Sequence, residues 1–173
     1  MKVICISGKA RHGKDTAAEY IYSELTKRGH RVLIAHYGDL LKYICKTFFM
    51  WDGTKDEKGR HILQYVGTDI IRAKKPDYWV NFIADMLELF GDNWDYIIIP
   101  DSRFPNEIEH LKDRGFEICS LRVIRDNFKS ELTKEQLKHP SETALDDYSF
   151  DYVVHNDVLD EFYSKLSAVI EKI

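Results

Sequence analysis

Thiols are few and scattered in this chain: Cys5, Cys45 and Cys119 lie inside apolar runs, show no Cys-x-x-Cys spacing and are odd in number. Neither a disulfide framework nor a zinc site fits that pattern, and a reducing cytoplasm does. Long apolar runs are missing as well. None approaches the roughly 18 to 20 residues of a membrane-spanning helix, and the chain enters a β-rich run at Lys2, which leaves no room for a signal peptide. Positive charge is not in excess, since 25 Lys and Arg face 29 Asp and Glu for a net charge of −4. A broad nucleic-acid surface is therefore not expected, although a locally basic cleft for a small anion fits inside an acidic shell. Repeats and low-complexity segments are absent, and 173 residues suit a single domain, 1–173, with a sizeable core.

The most informative stretch comes first. Val3 to Ile6 is a short β-rich run, glycines follow at 8 and 13, and Lys14 is succeeded by Ala17, Ala18, Ile21 and Leu25 at helical spacing. Strand, glycine loop and helix in that order, with the spacing Gly8-Lys9-Ala10-Arg11-His12-Gly13-Lys14, make a P-loop. Glycines let backbone N–H groups curl around a phosphate, and the helix points its positive end at the same place. Lys14 then reaches the β and γ phosphates of a nucleotide. The next residue departs from the common pattern, because Asp15 stands where Ser or Thr would set a hydroxyl on Mg²⁺. A carboxylate can hold this ion directly or through one of its waters, and the Thr16 hydroxyl is the alternative ligand.

Further on, the first helix is expected to stop near Gly29, and Arg31 to Tyr37 reads as a second strand. A helix over Gly38–Phe49 opens at that strand's C-terminal end, where open α/β sheets bind ligands, so Asp39 and Lys42 face either an acceptor molecule or, as an N-cap and a surface lysine, only the helix and solvent. Residues 54 to 75 are polar and basic around Ile62-Leu-Gln64-Tyr65-Val-Gly67-Thr68 and show no strand pattern. From Pro76 a helix is expected, with Trp79, Ile83, Met86, Leu87 and Phe90 on its buried stripe. Trp94 to Asp101 is an apolar strand that delivers a carboxylate at its end, in the manner of a Walker B element, and the guanidinium of Arg103 beside it suits a phosphate. Phe116–Ile124 is a fourth strand, with Arg122 and Arg125 at its exit. Residues 125–140 read as a lid-like segment or a solvated connection, Tyr152–His155 as a last strand, and Asp157 as the cap of a final helix. Five strands joined by helical, right-handed crossovers predict an α/β P-loop fold, a parallel sheet of order 2-3-1-4-5 covered by helices on both faces.

Five motifs in sequence order carry a family likeness: Gly8-x-x-x-x-Gly13-Lys14-Asp15-Thr16, Tyr37-Gly-Asp39-Leu-Leu-Lys42, Gln64-x-x-Gly67-Thr68-x-x-x-Arg72, Asp101-x-Arg103-x-x-Asn106-Glu107 and His139-Pro-Ser141-Glu142-x-x-Leu145. Together they resemble the deoxynucleoside monophosphate kinases of bacteriophages and their bacterial relatives, over nearly the whole chain. Phosphomevalonate kinase is similar in the first loop and in the His-x-Ser-Glu region, and a non-kinase nucleotide switch is a third reading. The family resemblance implies transfer of the ATP γ-phosphoryl group to a deoxynucleoside monophosphate with Mg²⁺ as cofactor, in a soluble cytoplasmic enzyme that admits a homodimer and engages neither nucleic acid nor membrane. It further implies that Lys14 and the loop 8–16 hold the donor, and that Asp15, Thr16 and Asp101 hold the metal. Arg72, Arg103 and Arg122 or Arg125 would meet the acceptor phosphate and the transition state. Asp39, Lys42, Gln64, Thr68, Trp79 and Glu142 would line the acceptor site, with Tyr65 or Trp79 stacking on the base, in an insertion spanning about residues 38–91.

Overall fold

The computed structural model describes every residue from Met1 to Ile173. In chain order its elements are β1 (Lys2–Ser7), α1 (Lys14–Lys27), β2 (Val32–Ile34), α2 (Gly38–Phe48), α3 (Glu57–Gln64) continuing as a π-helical turn (Tyr65–Arg72), and α4 (Tyr78–Phe90). Then follow β3 (Tyr96–Ser102), α5 (Asn106–Asp113), β4 (Glu117–Ile124), α6 (Lys134–Lys138), α7 (Pro140–Thr143), β5 (Tyr152–His155) and α8 (Leu159–Ile170). The five strands form one sheet in the order β2-β3-β1-β4-β5, all neighbours parallel, as the crossover pattern predicts.

β1 is central because both of its faces are apolar. Ile4 and Ile6 join Ile98, Leu121 and Val123 under α1 and α8, whereas Val3 and Cys5 join Ile97 and Ile99 under α4 and α5. Each fully buried Ile or Leu there contributes about 1.5–3 kcal/mol relative to exposure, and the resulting rigidity at the strand ends is what holds the loops above them. The three cysteines are free and buried, and burial pushes the thiols of Cys5 and Cys119 up to about 12, which makes them inert packing groups. No helix is long and apolar enough to cross a membrane.

Several element ends differ from their expected positions, each for a traceable reason. β2 stops at Ile34 because, after Ala35 N–H donates to the Ile98 carbonyl at 2.9 Å, the amides of Tyr37 and Gly38 turn onto the Asp101 carboxylate at 3.0 and 2.8 Å. Asp101 thereby does for α2 what Asp39 was expected to do. Asp39 makes no capping bond and instead accepts from Lys42 Nζ at 2.7 Å. Residues 57–72, which show no strand pattern in sequence and are assigned no element from it, are helical. Asp56 accepts from Gly59 N–H at 2.7 Å, and any side chain at Gly59 would run into the Thr54 carbonyl and the buried Trp51 indole. The π turn obscures the 3.6-residue period while packing Val66 against Cys45 and Trp51. Phe90 lies outside the buried stripe at 56% exposure, on the last turn of α4. Asp157 caps no helix; its carboxylate accepts from Asp126 N–H at 3.1 Å. The segment 125–140 contains α6, started by a reciprocal Thr133–Gln136 capping box.

Candidate active site

The loop between β1 and α1 is built for backbone exposure. A Cβ on Gly8 would stand 2.5 Å from the Val123 carbonyl, and Gly13 has φ 101° with the Asn156 side chain pressed against it, so neither position accepts another residue without displacement. Arg11 also takes a left-handed conformation, φ 63°. The turn is braced from β5 by Asn156 Nδ2, which donates to the His12 carbonyl at 2.9 Å. Inside it, Lys14 Nζ donates to the carbonyls of Gly8 at 2.8 Å and Lys9 at 3.0 Å, and Ala10 N–H donates to Glu142 Oε2 at 3.2 Å. A carboxylate thus occupies one amide of a loop shaped for phosphate. Burial, and after it the nearby Arg103 guanidinium, lower the Lys14 ammonium from 10.5 to about 8.

A cavity of about 540 Å³ opens from this loop toward α2, α3 and the β3–α5 turn. Ala10, Arg11, Lys14 and Asp15 line it from the loop; Gly8, Lys9, His12, Gly13 and Thr16 support the loop from outside the lining. Asp15 is exposed at the start of α1 and has no hydrogen-bond or ion-pair partner, whereas the Asp101 carboxylate is already engaged by the amides of Tyr37 and Gly38. Lys42, Gln64, Thr68, Arg72, Trp79, Arg103 and Glu142 all reach the cavity wall, and Asp39 does not. Trp79 is 4% exposed and spends its indole N–H on the Gly67 carbonyl, 3.1 Å away, which the π turn leaves available. Tyr65 lies outside and stacks on His61. Arg122 is tied to Ser7 Oγ and Asp146, each at 2.9 Å, and Arg125 lies over the Phe128 ring at 5.3 Å; neither lines the cavity.

The β3–α5 turn is organised around a residue quoted in the Asp101 motif without a role of its own. Glu107, 3% exposed, accepts from Arg103 N–H at 2.6 Å and Phe104 N–H at 3.1 Å through one oxygen and pairs with Arg72 through the other. Burial pushes its carboxyl up, and the Arg72 charge pulls it back toward ionisation. Arg72 is further held by Asn106 Oδ1 at 3.0 Å and lies 3.9 Å over the Phe104 ring. Arg103 in turn pairs with Glu142 and donates to the Ser141 carbonyl at 2.9 Å. Buried carboxylates therefore hold both arginines, and only the run Asp101-x-Arg103-x-x-Asn106-Glu107 hinted at it.

Comparison with known proteins places the chain in a family. The family model described as deoxynucleotide monophosphate kinase matches residues 39–166. The chain belongs to that family. Among its relatives, a protein of Acanthamoeba polyphaga mimivirus is 28% identical over 99% of this chain and 97% of its own length. The deoxynucleotide monophosphate kinase of Enterobacteria phage T4 is 32% identical over 65% of this chain, which spans 45% of the phage protein. Among solved structures, the Mycobacterium tuberculosis APS kinase CysC in complex with AMPPNP and APS superposes with a TM-score of 0.55 at 10% identity, over 98% of this chain and 95% of that one, a likeness of fold. Membership makes the chain an ATP-dependent phosphotransferase.

The depressed Lys14 ammonium has a measurable consequence in such a kinase. Below about pH 8 the free enzyme carries the charge that a triphosphate needs, and above it the lysine must regain a proton as the nucleotide enters. ATP affinity is expected to fall about tenfold per pH unit above that value, with uptake of close to one proton per ATP. Calorimetric titration in buffers of unlike ionisation enthalpy measures the uptake directly; the same binding heat in every buffer on the alkaline side would place the Lys14 pKa elsewhere.

Proposed function

We propose that this chain transfers the γ-phosphoryl group of ATP to a deoxynucleoside 5′-monophosphate, producing the deoxynucleoside diphosphate and ADP in the cytoplasm. The observation that carries the reading is one cavity lined by both the P-loop and Arg103, which Glu142 bridges, in a chain of this family. An acceptor phosphate oxygen forms the new bond to the γ-phosphorus while the bond from that phosphorus to the bridging oxygen breaks and ADP leaves with the electron pair. Little covalent chemistry is asked of the protein. It aligns the two phosphates, excludes water and neutralises the charge on the equatorial oxygens.

In this reading the loop amides and Lys14 hold the donor, and Glu142 yields the Ala10 N–H to phosphate as the nucleotide arrives. Arg103 meets the acceptor phosphate, with Arg72 fixed beside it by Glu107. Gln64, Thr68 and Trp79 line the part of the cavity left for the base within the acceptor lobe 38–91, and segment 125–140 serves as lid. Mg²⁺ fits this donor set: the unpartnered Asp15 carboxylate and Asp101 line the same cavity, enough protein ligands for an ion that keeps several waters. Bound there, the ion would neutralise phosphate charge and orient the γ-group.

A coupled assay of ADP release, with ATP and each of the common deoxynucleoside and ribonucleoside monophosphates and with phosphomevalonate, tests the proposal. Turnover is expected with at least one deoxynucleoside monophosphate and is expected to vanish when Mg²⁺ is chelated. Turnover with phosphomevalonate alone would overturn it.

A further inference from the structure

Cations crowd the cavity, but most are already compensated. Lys42 is paired with Asp39, Arg72 with Glu107, Arg103 with Glu142 and Arg11 with Glu131. The exceptions among the lining side chains are Lys14 on the donor loop and, on the same cavity, Lys55 and Arg60, which meet no carboxylate and no hydrogen-bond acceptor. Arg60 is half-buried, and Lys55 is exposed. A second, smaller cavity of about 290 Å³ under the segment 125–140 shares Ala10, Arg11, Lys55, Arg60 and Leu132 with the first, so Arg60 lines both cavities together with two residues of the phosphate loop.

The placement is built and not incidental. Arg60, Leu63, Gln64, Gly67 and Thr68 line the main cavity as one stripe along α3 and the π turn, with Arg60 at the P-loop end. That end is anchored on both sides. The Trp51 indole donates to the Thr54 carbonyl at 2.9 Å, Asp56 caps Gly59, and the absent side chain of Gly59 lets the turn close on itself. From above, Gln136 of α6 donates to the Glu57 carbonyl at 3.5 Å, which links the lid to the same turn. A half-buried guanidinium with no counter-charge, on the wall of a cavity that a phosphate loop also lines, is free to take an anion, and in the kinase reading that anion is phosphate.

Resting on the kinase reading above, we propose that Arg60 contacts the phosphoryl group in transit between donor and acceptor, supplying uncompensated positive charge in addition to that of Lys14. Its position at the junction of the loop and the acceptor stripe assigns it to the transition state more than to either ground-state ligand. The planar fork, and not the charge alone, bridges oxygens that belong to two phosphates.

The test is steady-state kinetics of Arg60→Ala, Arg60→Gln and Arg60→Lys on the parent's preferred deoxynucleoside monophosphate, with ATP affinity measured separately by calorimetry. Removal of the guanidinium is expected to lower kcat by about 100- to 1,000-fold, the loss typical of one aimed transition-state donor. ATP affinity and the KM for the monophosphate are expected to change far less, Arg60→Lys to recover only part of the rate, and added guanidinium ion to rescue Arg60→Ala. Lys58→Ala, exposed on the same helix and outside both cavities, controls for disturbance of α3, and thermal melts show that each variant is folded. Should Arg60→Ala not fold, Arg60→Gln carries the same reading. Unchanged kcat in a folded variant overturns the proposal, as does a rise in KM at constant kcat, which would make Arg60 a ground-state contact. A parent that phosphorylates no deoxynucleoside monophosphate overturns the kinase reading and this inference together, whereas an active parent with an equally active Arg60→Ala overturns the inference alone.

Discussion

Lys14→Ala is expected to lower turnover by roughly 1,000-fold or more while the fold survives, since the lysine is a buried cation on the phosphate loop and in the proposed reading its charge meets the transferring group. The sequence suggests an exposed loop lysine, but the side chain is only 9% exposed and bonded to the Gly8 and Lys9 carbonyls. Two opposed changes follow on its removal. Two carbonyls lose a donor, and a desolvated ammonium, disfavoured enough to be lowered to about 8, is taken away. The two offset one another, so the urea midpoint is expected to move little. Single-turnover rates with saturating ATP measure the catalytic loss, and a variant that turns over at the parent rate would remove the loop from the mechanism.

Glu107→Ala has the largest expected effect on stability. It leaves the nearly buried Arg72 guanidinium without its counter-charge and strips an acceptor from the amides of Arg103 and Phe104. Breaking a buried ion pair from one side costs about 3–5 kcal/mol, and the loss is expected to carry activity with it because Arg103 is positioned through the same turn. Equilibrium urea unfolding of Glu107→Ala and Glu107→Gln separates the contributions. The amide keeps an oxygen for the two backbone donors and loses only the charge, so its midpoint is expected to fall between those of parent and Ala variant. A Glu107→Ala loss below about 1 kcal/mol would mean that Arg72 is stabilised without the carboxylate.

The P-loop was legible because its information is local: one strand, two glycines, a lysine and a helical period lie within 25 residues. Strand order was legible for a related reason, since alternating helices and fully apolar strands allow few right-handed arrangements of a parallel sheet. The helix over Glu57–Gln64 was not legible, because a π turn breaks its period and its start depends on Trp51 and Thr54, which no pattern connects to it.

Sequence by itself determined that this protein is a P-loop α/β chain, with Lys14 and Asp15 in the glycine loop, Arg103 after the third strand and Arg122 and Arg125 at the exit of the fourth. Only the tertiary structure decided which charges are free. Arg72, Arg103 and Arg60 are the same residue type on neighbouring walls, yet the first two are neutralised by Glu107 and Glu142, which lie 35 and 39 positions away along the chain, and the third is not. Whether a guanidinium serves packing or chemistry is set by the carboxylate that the fold brings within reach, and that depends on crossovers linking distant segments through a shared core.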